Sequence, residues 1–169
     1  MIRAATIDDA QAIAELHVRS WQSAYRDHFP AAYLAALSVA DRAKMWTAIT
    51  AKQPPRVGVS IASESIVGFV STSASRDDDA AAGVGEINAM YVEPSRWRTG
   101  IGAGLMQWAL EQSASRGWSA LTLWVLRDNA SACAFYEAWG WRPDGATQTE
   151  TIGGAEAVEV RLRRAVPSP

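Results

Sequence analysis

The strongest constraint on this chain is a change of apolar period on either side of a glycine-rich turn. Gly85 to Val92 (GEINAMYV) reads as a strand that Glu93-Pro94 ends. Ile101 to Ser115 instead puts Ile101, Leu105 and Trp108 on one helical face and stops at Gly117. Between them runs Arg96-Trp97-Arg98-Thr99-Gly100-Ile101-Gly102-Ala103-Gly104. A strand, a glycine loop and a helix in this order collect unpaired backbone N–H groups and the positive end of a helix dipole at one point, which suits an anion. Glycines let a phosphate come close to the backbone. The same residues also suit a plain flexible turn, so the loop alone leaves both readings open.

Two common phosphate loops do not fit. The dinucleotide fingerprint needs an acidic residue about 20 positions on, and Ser119 to Val125 holds none. A nucleotide-triphosphate loop needs Gly-Lys-Ser/Thr, and neither Gly100-Ile101 nor Gly104-Leu105 supplies it.

The flanking elements point to an α/β fold. Ile2 to Ala5 is a short edge strand. Thr6-Ile7-Asp8-Asp9 resembles a capping box and starts a helix to about Tyr25, with Ala14, Val18, Trp21 and Tyr25 on one face. Pro30 opens a second helical region, Ala31 to Leu37, and Asp41 to Ala51 forms a third, stopped by Pro54-Pro55. Val57, Val59 and Ile61 alternate as a strand, and a turn at Ser63-Glu64-Ser65 leads into Ile66 to Thr72. Arg76 to Gly83 (RDDDAAAG) is a loop between strands. Leu121 to Leu126 is a strand buried on both faces. Asn129 caps a helix to Trp139, ended by Gly140, and Ala157 to Leu162 closes the chain as a strand. The expected architecture is a mixed, mostly antiparallel central sheet flanked by helices.

Its 169 residues suit one domain. A chain of this length buries roughly 70% of its extended surface. We expect residues 1–165 to form that domain and 166–169 a disordered tail. Apolar residues at 49% and charged residues at 20% exclude wholesale disorder. A net charge of −2 gives no support to a nucleic-acid partner. The single cysteine, Cys133, excludes an internal disulfide and a cysteine-rich zinc site. Acids near the start argue against a secretory signal, and no run reaches about 18 apolar residues, so neither a membrane span nor a membrane partner is expected. A cytoplasmic location is the simplest expectation.

The glycine loop resembles the signature of the GNAT superfamily of acyl-CoA-dependent N-acyltransferases, Q/R-x-x-G-x-G/A, with Gly100 and Gly102 as its glycines. Position 97 departs from it, being Trp where the family has Arg or Gln. A second block is similar to the family's fifth strand and the helix after it: Leu123-Trp124-Val125, Asn129, Phe135-Tyr136-Glu137 and Gly140-Trp141. Ser20 to Tyr25 and Pro30 resemble a subgroup of small, single-domain bacterial members. The resemblance implies an acyltransferase for acyl groups other than amino-acyl groups (EC 2.3.1.-), with acetyl-CoA as donor and no metal.

It also implies site residues. The backbone of Met90, Tyr91 and Val92 would meet the acyl and pantetheine end, and that of Arg98, Thr99, Gly100, Ile101, Gly102 and Ala103 the pyrophosphate. Asn129 would bond the pantetheine arm. Arg96, Arg98 and Arg127 are candidates for the ribose phosphate or plain surface arginines. Glu86 would be the base that takes the amine's proton, through water or with a pKa raised by burial; the alternative is a solvated carboxylate at a strand end. Tyr136 would donate to the leaving sulfur, or pack in the core beside the Phe135–Trp139 pair. Trp21 and Tyr25 would line an aromatic acceptor pocket for a cationic amine, or pack helix on sheet. His17 and His28 lack metal-ligand spacing, and no base is spaced to activate Cys133.

The function expected is transfer of an acetyl group to a primary amine of a small molecule or peptide. Its rival is a non-catalytic acyl-CoA-binding or regulatory module on the same fold. A homodimer is common in such families.

Overall fold

The computed structural model describes residues 1–167. Its strands are β1 (Ile2–Ala4), β2 (Val57–Ala62), β3 (Ser65–Ala74), β4 (Val84–Val92), β5 (Ala120–Leu126), β6 (Arg142–Ile152) and β7 (Ala155–Ala165). Its helices are α1 (Ala10–Ala24), α2 (Ala31–Ala35), α3 (Val39–Thr50), α4 (Ile101–Ser115) and α5 (Ala130–Ala138). Single 3-10 turns stand at Ile7–Asp9 and Pro94–Arg96. The sheet order is β1-β2-β3-β4-β5-β7-β6, with β4 and β5 parallel and β1–β2, β2–β3, β5–β7 and β6–β7 antiparallel. This is the mixed, mostly antiparallel sheet with flanking helices that the pattern predicts.

The chain forms two compact units, one from Met1–Thr72 and Ala89–Ala109, the other from Ser73–Asn88 and Leu110 onward. It passes from one to the other within β3, β4 and α4.

In the first unit, the Thr6 N–H donates to Asp9 Oδ2 at 2.7 Å, and Arg3 clamps the same carboxylate at 2.6 and 2.8 Å. This clip ties the end of β1 to the start of α1. Ala10, Ile13, Ala14 and Leu16 of α1 then meet Trp46 of α3 and Val57, Val59 and Phe69 of the sheet in one core. Ser38 starts α3 by accepting the Asp41 N–H at 3.1 Å. The β2–β3 turn holds Ser63 and Glu64 at φ 49 and 63, the left-handed pair whose twist matches a two-residue hairpin. Glycines let the front of α4 sit close. A Cβ at Gly58 would meet the Trp108 ring at 2.6 Å, and one at Gly104 would meet Ile2 at 2.8 Å.

In the second unit, β5 buries Leu121 and Leu123 almost completely. Gly85 makes room for Trp118, whose ring would lie 2.1 Å from a Cβ there. The β6–β7 hairpin adds a strand that the sequence pattern does not reveal. Most of β6 is exposed and has no apolar alternation, so its pairing with β7 makes it a strand. Val166, expected in a disordered tail, is buried, and its N–H bonds Ser119 O at 3.0 Å. That tail's last two residues, 168 and 169, lie outside the described residues.

Candidate functional site

In the first unit, β4 runs out at Val92 and the chain turns through Pro94–Arg96 into the glycine loop. Glu93 is held by Arg19 of α1 at 2.8 Å. Trp97, the departure from the family signature, donates its indole N–H to Val92 O at 2.9 Å and so braces the turn. Thr99 Oγ1 donates to Arg96 O at 2.6 Å. Arg98 and Gly100 take left-handed φ values of 62 and 87, and nothing lies within 4 Å of a Cβ built at Gly100. The first α4 bond runs from Gly104 N–H to Gly100 O at 3.1 Å. The amides of Ile101, Gly102 and Ala103 precede it and have no acceptor within the helix. Gly104 serves packing, whereas Gly100 stands in open space at the helix start. The loop therefore leaves the backbone amides of a helix start beside open space, the arrangement that suits an anion.

The same unit carries the predicted acceptor residues. Trp21 donates its indole N–H to the Tyr91 hydroxyl at 2.9 Å, and the Tyr25 hydroxyl lies 3.4 Å from that oxygen. The rings of Tyr25 and His17 meet Trp21 edge-on, and Phe29 stacks with it. The Arg42 guanidinium lies over the Trp21 ring, 5.4 Å from its centroid. The two aromatic residues predicted for the acceptor therefore pack against each other and their neighbours, and the cation over the Trp21 ring is the chain's own Arg42. His17 is a core residue. Its Nδ1 accepts the Trp46 indole N–H at 3.2 Å, and burial, aided by the Arg42 charge, pushes its pKa down to about 3. Met90 and Val92 flank Tyr91 on β4, beyond the parallel β4–β5 ladder, which covers Val84–Glu86.

In the second unit, Glu86 is buried on β4 and bound by Arg76 of the preceding loop. Arg76 Nη2 donates to Oε1 at 2.6 Å, and its Nε and backbone N–H donate to Oε2 at 3.2 and 3.1 Å. Glu86 is 3% exposed, so the alternative of a solvated carboxylate at a strand end does not hold. The loop is pinned further by Asp77, which accepts the Trp124 indole N–H at 2.9 Å. Arg161 of β7 binds Asp79 at 2.6 Å, Asp144 at 2.7 Å and Asp77 at 3.2 Å. These carboxylates raise its pKa further.

Asn129 caps α5, its side-chain oxygen accepting the Ala132 N–H at 3.1 Å, which leaves its carboxamide nitrogen outside the cap. Tyr136 is half-buried on α5, edge-on to Phe135 and Trp141. Burial pushes the Cys133 thiol up, away from nucleophilic use. Among the described residues no group of three or more His, Cys, Asp or Glu is arranged to hold a metal, and no helix is long and apolar enough to cross a membrane.

Sequence reasoning missed Arg42, Arg76 and the Tyr91 hydroxyl. Only the basic-acidic run after Ala74 hinted at one of them, and it reads equally as a solvated loop.

Residues 10–141 match the acetyltransferase (GNAT) family. The chain is 30% identical over 165 residues to the uncharacterized N-acetyltransferase YuaI of Bacillus subtilis (strain 168), covering 95% of this chain and 90% of the relative. Its fold is similar to a ribosomal-protein-alanine N-acetyltransferase from Brucella melitensis, with TM-score 0.78, 20% identity and coverage of 98% of this chain and 99% of that one. It is also similar to yncA, a putative acetyltransferase from Salmonella typhimurium whose structure holds acetyl-CoA. There the TM-score is 0.75 and the identity 18%, over 100% of this chain and 95% of that one.

Proposed function

The chain belongs to the acetyltransferase (GNAT) family, and from that premise we propose that it transfers an acetyl group from acetyl-CoA to a primary amine of a small molecule or peptide. We take residues 1–165 as one acetyltransferase domain, because the family match runs through both units.

The observation that carries the proposal is the glycine loop. Its left-handed Arg98 and Gly100 and the free helix-start amides suit the pyrophosphate of acetyl-CoA. The backbone of Met90, Tyr91 and Val92 would meet the acyl end, and the Asn129 carboxamide nitrogen the pantetheine arm. The donor supplies an acetyl group activated as a thioester, with a thiolate that leaves readily. As the new C–N bond forms, the C–S bond breaks. Glu86 receives the amine's proton through a water. Its Oε1 accepts a single bond from Arg76 and keeps a lone pair for that water. The Tyr136 hydroxyl donates to the departing sulfur.

One observation favours the rival, a non-catalytic acyl-CoA-binding module: Glu86 is already engaged by Arg76. Thiol release over a panel of amines separates the two. Catalysis predicts amine-dependent release that Glu86→Gln and Tyr136→Phe each reduce at least about tenfold in kcat while acetyl-CoA binding persists. Unaltered turnover in both variants would remove these assignments. Binding without release for any amine would favour the module.

A further inference from the structure

We propose that Arg42 recognises an anionic group on the acceptor, so that the acceptor is an amine that also carries a carboxylate or phosphate. This rests on the acetyl-transfer reading above and narrows its substrate class.

The first ground is what occupies Trp21. An aromatic pocket attracts a cationic amine through the face of a ring. Here the cation over the indole is the chain's own Arg42, and Phe29, Tyr25 and His17 pack against the same ring. What this cluster offers a ligand is therefore a guanidinium.

The second ground is the missing counter-charge. In this unit Arg3 is paired with Asp9 and Arg19 with Glu93. Arg42 is half-buried, yet no carboxylate among the described residues lies within ion-pair distance of it. Its uncompensated charge reaches His17 and helps hold that imidazole neutral. A guanidinium is planar and presents its donors to a carboxylate or phosphate in a fixed fork.

The third ground is place. Trp21, which carries Arg42, donates its indole N–H to Tyr91, and Tyr91 stands between the two other β4 residues assigned to the acyl end. One indole thus separates the anion-binding group from the strand where the acetyl group would lie. A molecule whose amine and acidic group are a few bonds apart can address both. A simple protonated amine or a polyamine gains nothing from Arg42 and is repelled by it.

The test is a matched series: several amino acids, their carboxamides, their decarboxylated amines and aminoalkyl phosphates, each as acceptor in the thiol-release assay. The wild type should favour the acids or phosphates over the partners that lack an acidic group by at least about tenfold in kcat/KM, carried by KM. Arg42→Ala should bring that ratio near one, and Arg42→Lys should restore part of it. The relative rates of acids and phosphates identify the anion. Equal use of acids and carboxamides by the wild type, or an unchanged ratio in Arg42→Ala, would overturn the proposal. Saturation-transfer NMR with the same compounds on the acetyl-CoA-loaded wild type reads binding without turnover. Signals selective for the acidic members support the proposal, and equal or absent signals refute it. Failure of acetyl-CoA itself to bind, measured separately, would instead remove the acetyl-transfer reading.

Discussion

His17 and Glu86 are both buried ionisable groups, one in each compact unit, and the two units treat them in opposite ways. In the first, His17 sits among Trp21, Trp46, Phe69 and Tyr91 and is kept neutral, its Nδ1 accepting from Trp46. In the second, Glu86 is matched by the Arg76 guanidinium, and next to it Arg161 gathers Asp77, Asp79 and Asp144. A neutralised group stays buried only while the pH keeps it uncharged. A paired group stays buried only while its partner is present. Around His17 the first unit should therefore fail through packing and acid, and around Glu86 and Arg161 the second through loss of an arginine or added salt.

The largest expected effect tests the packing side. Trp46→Ala should cost about 3–5 kcal/mol in denaturant unfolding, since it empties the core and removes the His17 donor. Arg161→Ala should cost less, about 1–3 kcal/mol, because Asp77 and Asp144 lose their partner while Asp79 is already largely in water. Only the Arg161 loss should shrink when the melts are repeated at about 1 M salt, through its exposed pair with Asp79. Equal salt dependence in the two variants would break the contrast.

Acid separates the units further. The folded His17 pKa of about 3 lies below its ordinary value near 6.5, so the unfolded chain binds the extra proton between them. Stability from this group is complete above about pH 6.5 and declines as the pH falls toward 3. Arg161 holds Asp79 below the usual carboxylate range, so its contribution is lost only below about pH 4. His17→Gln should flatten the decline between about pH 6 and 4 in pH-stepped thermal melts and leave the lower part intact. A wild-type curve that is flat there would contradict the neutral His17. The smallest effect on stability is expected at the glycine loop. Gly100→Ala meets no neighbour but strains a left-handed φ, so it should cost about 1 kcal/mol while weakening acetyl-CoA binding strongly.

The contrast also explains what the sequence made legible. Helices, glycine stops and most strands follow from local periodicity, and α4 falls at the residues its pattern marks. The strand β6 escaped because nothing in Arg142–Ile152 alternates; its strand character comes from β7. Glu86 was legible as a candidate, but its partner Arg76 lies in a loop whose composition looks solvated. Arg161 reaches Asp79 across 82 positions, a distance over which periodicity carries no information. Arg42 is a single arginine on α3, and only the fold brings it to Trp21.

Whether the glycine loop binds acetyl-CoA is read by calorimetric titration of the folded wild type, with dephospho-CoA, NADH and the Gly100→Ala variant as comparisons. Acetyl-CoA should bind better than both other nucleotides, and Gly100→Ala should weaken it without unfolding. No heat of binding at millimolar acetyl-CoA would reduce the loop to a turn, and the roles given to Glu86, Tyr136 and Arg42 would fall with it.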